Sequence, residues 1–310
     1  MKHTLLGAGG SIGISYAHEL INKKEKIRLV SRSGAGMEGA ETVKADLSNF
    51  QQTAEAVKGS DIVYLFAGLL YDKKVWAELW PKIMAVCTEA CKQEDARFVF
   101  FDNVYMYGKV DGKMTEETPY NPWSKKGEVR AGIAKSLEGE FKAGNLQVII
   151  ARAADLYGPY ITTNSAPYIM IFDKLMNGKT AQCLGSDKTI HSYTLTTDCA
   201  KGIDLLVNDD KAWNQIWHLP TDNPPPTCKE FVSWVADEIG TKPKYSVLKP
   251  WMVKMGGLVD KTIAEVGEML YQNTYDYYFD STKFNDHFNF KPTPYREGIR
   301  ETIQYIRTLK

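Results

Sequence analysis

The chain has 310 residues, of which 44% are hydrophobic and 25% are charged, a composition that suits one large or two moderate globular domains and excludes disordered and fibrous classes. Its 38 basic residues balance 38 acidic ones, so no net charge draws it to nucleic acid or an anionic membrane, and a small molecule is the expected partner. The opening MKHTLLGAGG does not resemble a signal peptide, and no apolar run reaches the roughly 18 residues of a membrane span, so a cytoplasmic protein is expected.

Strands and helices alternate along the first half of the chain. The apolar pattern predicts strands over residues 2–6, 26–32, 62–68, 97–102 and 146–154. A helix follows the first strand, and further helices are predicted around residues 48–58, 73–93 and 127–143. Such alternation is typical of βαβ units with right-handed crossovers. The sequence therefore predicts an α/β fold, a Rossmann doubly wound parallel sheet, over residues 1–158.

The second half of the chain, residues 159–310, has a less regular pattern. It contains the turn run NPPPT at 223–227 and the tyrosine-rich run YQNTYDYYFD at 271–280. This pattern predicts a smaller C-terminal substrate-binding lobe. Within it, residues 187–208 are expected to pack back on the Rossmann sheet.

The cysteines and histidines show no metal or disulfide pattern. The five cysteines are Cys87, Cys91, Cys183, Cys199 and Cys228, an odd number without a C-x-x-C pair, which favours reduced thiols. Cys87 and Cys91 stand at helical spacing and are expected to be small core residues. The five histidines match no ligand motif, so no metal site is expected.

A glycine motif follows the first strand. In LLGAGGSIG, Gly7, Gly10 and Gly13 stand where the backbone must turn tightly, approach a pyrophosphate and pack against the sheet. Ser11 and Ile12 begin the next helix, whose amino end offers free N–H groups and a partial positive charge to phosphates. The motif therefore predicts a dinucleotide site.

The end of the second strand indicates which dinucleotide binds. NAD sites usually place an acidic residue there for the ribose 2′-hydroxyl, whereas this chain has Ser31 and Arg32. A guanidinium can bind a 2′-phosphate with two hydrogen bonds, which favours NADP and leaves NAD possible. The alternative is that Arg32 is an exposed loop residue.

Two further pairs are candidates to border the cofactor. Asp46 and Leu47 end the third strand, where they would lie beside the adenine. Ala67 and Gly68 follow the fourth strand, where small residues let the backbone approach the ribose.

The motifs occur in one order along the chain. After the glycine motif come the Asp-Leu and Ala-Gly pairs, MYG at 106–108, RAADLYGP at 152–159 and HSYTLTTDCAKGI at 191–203, with FDSTKF and KPTPYREGIRETI near the end. Together they make the chain similar to the extended short-chain dehydrogenase/reductase superfamily, in its NAD(P)-dependent epimerase/dehydratase group, over nearly its whole length. The resemblance implies an NAD(P)-dependent oxidoreductase acting on a small carbonyl, hydroxyl or sugar-nucleotide substrate.

The sequence departs from that family at the three catalytic positions. The family has a Ser or Thr shortly before its V-Y-G and a Tyr-x-x-x-Lys pair on the next helix. The Tyr exchanges a proton with the substrate while hydride moves, and the Lys lowers the pKa of that Tyr and holds the ribose. Here these positions hold Asn103, Lys126 and Arg130, the last two within NPWSKKGEVRAG.

Four residues are therefore the catalytic candidates. Arg130 keeps its proton in a protein but can still hydrogen-bond the ribose. Lys126, expected beside Arg130 and an oxidised nicotinamide, would have a destabilised ammonium and is the candidate proton donor. Tyr105 is the alternative donor, because the neighbouring Tyr107 matches a family residue concerned with packing. Asn103 replaces the substrate-orienting Ser.

Three other residues complete the expected site. Arg152 is expected near the nicotinamide, and Tyr157 and His191 are expected to line the substrate cleft, since ligands lie beyond the carboxyl ends of the strands. A single histidine such as His191 is more often a structural residue. The substituted catalytic positions leave a second hypothesis open: a catalytically inactive NADP-binding redox sensor or regulator.

The resemblance also suggests a homodimer. Its interface would be a helix bundle formed by residues 73–93 and 127–143. Trp76, Leu79 and Trp80 would supply apolar surface to that interface or would belong to the core.

Overall fold

The computed structural model describes residues 1–161 and 165–309. Its strands are β1 Lys2–Leu6, β2 Lys26–Ser31, β3 Glu41–Lys44, β4 Ile62–Leu65, β5 Arg97–Asp102, β6 Lys113–Met114, β7 Val148–Arg152, β8 Asp155–Tyr157, β9 Ala181–Leu184, β10 Tyr193–Leu195, β11 Gln215–His218, β12 Tyr245–Leu248 and β13 Tyr278–Phe279. Its α-helices are α1 Ser11–Asn22, α2 Phe50–Val57, α3 Lys73–Gln93, α4 Lys125–Lys142, α5 Asp173–Met176, α6 Thr196–Val207, α7 Cys228–Ile239, α8 Pro250–Gly256, α9 Lys261–Gly267, α10 Tyr271–Thr274, α11 Thr282–Phe288 and α12 Tyr295–Thr308.

Seven strands form the main sheet. Their order is β11-β7-β5-β4-β1-β2-β3, and every pair is parallel. The chain winds outward from β1 through β2 to β3 and then in the opposite direction from β4, so the order reverses between β1 and β4. Ligands of doubly wound sheets bind beyond the carboxyl ends of the strands at such a reversal. The predicted α/β class and doubly wound sheet are confirmed.

Helices cover both faces of this sheet. On one face α1 and α6 pack together, with Tyr16 and Ile203 among the buried side chains. On the other face α3 and α4 contribute to a second core that includes Trp76, Trp80 and Cys87. The predicted burial of Cys87 and Cys91 is confirmed, and the two tryptophans are core residues, not exposed interface residues.

The smaller lobe contains β8, β9, β10, β12, α5, α7 and α12. Its core gathers around Phe172, Phe231 and Ile299. Within residues 187–208, α6 at Thr196–Val207 packs on α1 against the main sheet. The chain then continues to β11 at Gln215–His218, the edge strand of that sheet, which pairs with β7.

The expectation that all five cysteines are reduced thiols is wrong for two of them. Cys183 on β9 and Cys228 at the start of α7 form a disulfide, with their Cα atoms 5.9 Å apart. The lobe brings together two residues that are 45 positions apart, a proximity that no local spacing could indicate. Cys87, Cys91 and Cys199 are free and buried.

Over residues 1–161 and 165–309, the helices include none with the length and hydropathy needed to cross a membrane.

Candidate cofactor and substrate site

The glycine motif forms a tight loop between β1 and α1. Gly7 has a φ of +82°, and a Cβ placed there would lie 2.4 Å from the Cα of Ala67. A Cβ on Gly13 would lie 2.8 Å from the Cα of Ala8. Gly10 is different, because a Cβ there would come no closer than 3.6 Å, to the carbonyl oxygen of Phe66. Packing thus leaves no room for a side chain at Gly7 or Gly13. At Gly10 there is room for one, and its absence keeps the surface of the loop open.

The amino end of α1 is open to an anion. Gly10 is the N-cap and provides no side-chain cap, and the first helical hydrogen bond runs from the Ile14 N–H to the Gly10 carbonyl at 2.9 Å. The N–H groups of Ser11, Ile12 and Gly13 precede that bond, at the positive end of the helix dipole. These residues fit the pyrophosphate of a dinucleotide.

The close approach of Gly7 to Ala67 gives the first testable prediction. Gly7→Ala combines an unfavourable left-handed conformation with backbone overlap, so we expect a loss of about 2 to 4 kcal/mol in unfolding free energy and weaker cofactor binding. Gly9→Ala is the matched control, since a Cβ there meets no atom of the described chain within 4 Å. Urea unfolding and cofactor titration check both variants, and equal behaviour of the two would contradict the prediction.

Ser31 and Arg32 lie where β2 leaves the sheet. The Ser31 hydroxyl accepts a hydrogen bond from the Gly34 N–H at 3.0 Å and so shapes the turn. The Arg32 side chain is exposed, at the edge next to the glycine loop. It is therefore accessible to a bound phosphate.

The other two predicted pairs lie along the same edge. The Asp46 carboxylate accepts hydrogen bonds from the N–H and hydroxyl of Ser48, both at 2.9 Å, and these bonds lower the pKa of Asp46. Leu47 is buried. Ala67 packs against Gly7, and Gly68 is exposed beside it.

Asp102, at the carboxyl end of β5, lies between two arginines. Its carboxylate is 3.1 Å from Arg130 Nη1 and 3.5 Å from Arg152 Nε. Burial raises the pKa of Asp102, and the two guanidiniums oppose that shift. Arg130 also lies over the Trp80 ring, 4.1 Å from its centroid, and burial lowers the pKa of Arg130. Asp102 and the Trp80 ring thus hold the Arg130 guanidinium in place. Its expected contact with the ribose stays a prediction.

The expected cofactor contact of the Arg152 side chain is contradicted. Arg152 is fully buried. It donates hydrogen bonds to the hydroxyls of Tyr107 at 2.7 Å and Tyr120 at 2.5 Å, in addition to its contact with Asp102. Because these partners enclose the guanidinium, Arg152 joins the ends of β5 and β7 instead of facing the groove.

The expected surroundings of Lys126 are also wrong. Its ammonium forms ion pairs with Glu265 and with Glu268, the latter at 2.9 Å, and lies 4.3 Å from the centre of the Tyr71 ring. Lys126 is fully buried, and Glu265 is 4% exposed. Its partners are thus two carboxylates, one within α9 and one directly after that helix. The expected neighbour was the like charge of Arg130. Sequence reasoning missed both glutamates, which lie about 140 positions from Lys126.

Asn103 and Tyr105 form the turn that follows β5. The Asn103 side-chain oxygen accepts a hydrogen bond from the Tyr105 N–H at 3.0 Å. The Tyr105 ring stacks on Trp76 at 6.0 Å, and burial raises the pKa of Tyr105 to about 12. Tyr105 is protonated at neutral pH, as an ordinary tyrosine is, and its raised pKa makes it a weaker acid than one in water.

A cavity that is partly open to solvent lies in the smaller lobe, and His191 is on its wall. His191 Nε2 is 2.9 Å from a carboxylate oxygen of Asp155. Sequence reasoning did not single out Asp155, although it stands at the Asn of the family's R-x-x-N-x-Y-G-P. The expectation that Tyr157 lines the cleft is wrong: its ring is buried beneath Phe231 and Tyr295.

Known proteins resemble the chain in both sequence and fold. An uncharacterized protein of Sinorhizobium fredii is 25% identical over 244 residues, covering 74% of this chain and 67% of that protein. An uncharacterized UDP-glucose epimerase of Bacillus subtilis is 23% identical over 230 residues, covering 67% of this chain and 72% of that protein. The crystal structure of UDP-glucuronic acid 4-epimerase from Bacillus cereus, in complex with UDP-glucuronic acid and NAD, matches with a TM-score of 0.81 at 16% identity, covering 100% of each chain.

The sequence profile of the NAD dependent epimerase/dehydratase family matches residues 4–218. That range runs from β1 to the end of β11 and includes the glycine loop, Asp102, Lys126 and Arg130. The match spans more than half of the chain and coincides with the complete main sheet. This protein belongs to the NAD dependent epimerase/dehydratase family.

Proposed function

We propose that the protein is an NAD(P)-dependent oxidoreductase of the epimerase/dehydratase type, acting on a small carbonyl, hydroxyl or sugar-nucleotide substrate. The observation that carries the proposal is the glycine loop at the open amino end of α1, in a chain of this family. Support for a sugar-like substrate comes from the Bacillus cereus enzyme, whose structure contains UDP-glucuronic acid.

The cofactor would lie across the carboxyl ends of β1, β2 and β4. Gly10, Ser11 and Ile12 would hold its pyrophosphate, Arg32 its 2′-phosphate, and Asp46 with Leu47 its adenine end. When bound, a nicotinamide supplies or accepts hydride at the substrate carbon. Our proposal favours NADP because of Arg32, with NAD as the second choice.

Proton transfer would fall to the groups beyond β5. Tyr105 carries a proton at neutral pH, as any tyrosine with an ordinary or raised pKa does, and its turn lies at the carboxyl end of the sheet. Asn103 would orient a substrate oxygen through its amide. Lys126 remains the sequence-based candidate for the same proton, although its two carboxylate partners make Tyr105 the stronger choice.

Cofactor preference gives the second prediction. In Arg32→Ala we expect NADP binding to weaken by about 10- to 100-fold, the value of one or two charge-assisted hydrogen bonds, with NAD binding unchanged. Isothermal titration calorimetry with each cofactor measures this. Arg307→Ala, another exposed arginine on α12, is the control. Wild-type protein that binds NAD more tightly than NADP would overturn the assignment of Arg32.

A second candidate function is a redox sensor that binds NADP without turnover. It is favoured by the burial of Lys126 and Arg130 in ion pairs, at the positions where the family has its catalytic Tyr and Lys. Absorbance assays of NADPH oxidation with aldehydes, ketones, free sugars and sugar nucleotides separate the two functions. Tight cofactor binding without turnover across that panel favours the sensor.

The homodimer belongs to the same proposal. A bundle of α3 and α4 would use the outward faces of these helices, because Trp76 and Trp80 are committed to the core. Sedimentation measurements test this assembly directly.

A further inference from the structure

The lining of the cavity in the smaller lobe is mixed in character. It includes the apolar side chains of Met170 and Ile171 and the polar side chains of Gln182, Ser186 and Thr189. Asp155 and His191 lie on the same lining and follow β7 and precede β10 in the chain. Because Asp155 shortly follows the end of β7, this part of the cavity lies beyond the carboxyl end of a main-sheet strand.

The lining lacks the charge that a phosphate needs. Among the residues that the structure describes, neither lysine nor arginine lines the cavity, and Lys188 on the neighbouring loop is not part of it. Among the described residues of the lining, Asp155 is the only carboxylate, and it pairs with His191 at 2.9 Å. With a neutral imidazole the pair carries one negative charge, and with an imidazolium it carries none. In neither state does the pair add net positive charge.

Two further contacts fix the position of the His191 ring. Its Nδ1 lies 3.2 Å from the carbonyl oxygen of Gln272, and its ring stacks on Tyr277 with 4.4 Å between centroids. His191 is 4% exposed, whereas the Asp155 side chain is 30% exposed. The carboxylate is therefore the charged group that an occupant would meet.

The nearby helix end cannot supply the missing charge. Helix α7 begins at Cys228, on the cavity lining, and an open helix amino end would bind an anion. A capping box closes this one: the Thr227 hydroxyl accepts from the Glu230 N–H at 3.2 Å, and the Glu230 carboxylate accepts from the Thr227 N–H at 2.8 Å.

We propose that this cavity binds an uncharged, hydroxyl-bearing small molecule, such as an unphosphorylated sugar, and that Asp155 excludes nucleoside diphosphate sugars. The polar side chains of the lining match hydroxyl groups, and its apolar side chains match the C–H face of a sugar ring. A diphosphate would bring two negative charges to a carboxylate with no arginine or lysine to bind them. This inference rests on the proposed function and narrows its substrate class.

The test is a titration of the cofactor-loaded protein with UDP-glucose. We expect no saturation of the wild type below about 1 mM, and at least about tenfold tighter binding by the Asp155→Asn/His191→Arg double variant, which removes the carboxylate and adds a bidentate cation. Should the double variant fail to fold, Asp155→Asn alone is expected to change the affinity in the same direction. Wild-type affinity in the micromolar range, or equal to that of a folded variant, overturns the proposal.

A second measurement compares uncharged sugars with their own phosphates. Glucose and galactose are each compared with their 1-phosphates by thermal shift at equal concentration. We expect the uncharged member of each pair to stabilise the wild type more, and a phosphate that stabilises it as much or more overturns the proposal. Failure of the proposed function would show separately, as absence of NADP and NAD binding in the cofactor titration.

Discussion

Replacing Asp102 with asparagine is expected to lower the free energy of unfolding by about 3 to 5 kcal/mol, the usual cost of removing one partner of a buried ion pair. The side chain of Asp102 is fully buried and is the carboxylate that contacts both Arg130 and Arg152. Arg152 would keep its two tyrosine hydroxyls, and Arg130 would keep the faces of its tryptophans. These hydroxyls and rings are neutral and do not replace the carboxylate. The guanidiniums of Arg130 and Arg152 would therefore lie buried and close together without an anion between them.

The same substitution should also disturb the site. Asp102 accepts a hydrogen bond from the Asn103 N–H at 2.9 Å, and Asn103 in turn holds the N–H of Tyr105. Loss of the carboxylate charge weakens the first bond. The turn that carries Asn103 and Tyr105, two of the four catalytic candidates, then becomes less well fixed. Turnover is therefore expected to fall even in the fraction of the protein that stays folded.

Urea unfolding followed by circular dichroism measures the loss. Asp111→Asn is the matched control, because Asp111 is exposed and lies in the loop before β6. The control should change stability by no more than about 0.5 kcal/mol. A loss for Asp102→Asn within that range would show that the arginines do not depend on this carboxylate.

The nucleotide-binding half was predictable because its signals are local. The glycine motif, the strand before it and the helix after it occupy 21 consecutive residues, and the close packing of Gly13 against Ala8 lies within them. The contact of Gly7 with Ala67 joins distant positions of the chain. Helix α3 was predicted with its observed bounds, since the apolar period continues through 21 residues. Arg32 could likewise be placed at the carboxyl edge of the sheet, because it directly follows β2.

The environment of the catalytic positions was not predictable, because it depends on contacts between distant segments. The i, i+4 spacing of Lys126 and Arg130 suggests neighbouring cations, yet one side chain turns to Glu265 and Glu268 and the other to Asp102. The Cys183–Cys228 disulfide was missed for the same reason. Asp155 differs, because it stands in RAADLYGP at the Asn of the family's R-x-x-N-x-Y-G-P and could have been singled out from the sequence.

Substituting Lys126 with methionine is the other change with a large expected effect. It leaves Glu265 buried beside Glu268, with the partly exposed Lys73 ammonium 3.9 Å away as its remaining cation. We expect a loss of about 3 to 5 kcal/mol in unfolding free energy. Lys125→Met is the control: that neighbour pairs with Glu128 on the surface, a contact worth no more than about 1 kcal/mol.

A double-mutant cycle then separates stability from catalysis. Lys126→Met combined with Glu265→Gln removes the ammonium and the more deeply buried of its two carboxylates, so much of the lost stability should return, giving strong non-additivity. In that restored background, turnover measures the role of Lys126 in proton transfer. Turnover that persists there and disappears in Tyr105→Phe assigns the proton to Tyr105, and Lys126 then holds α9 against the first domain. Turnover that disappears in the restored double variant would instead return the proton to Lys126, despite its two carboxylates.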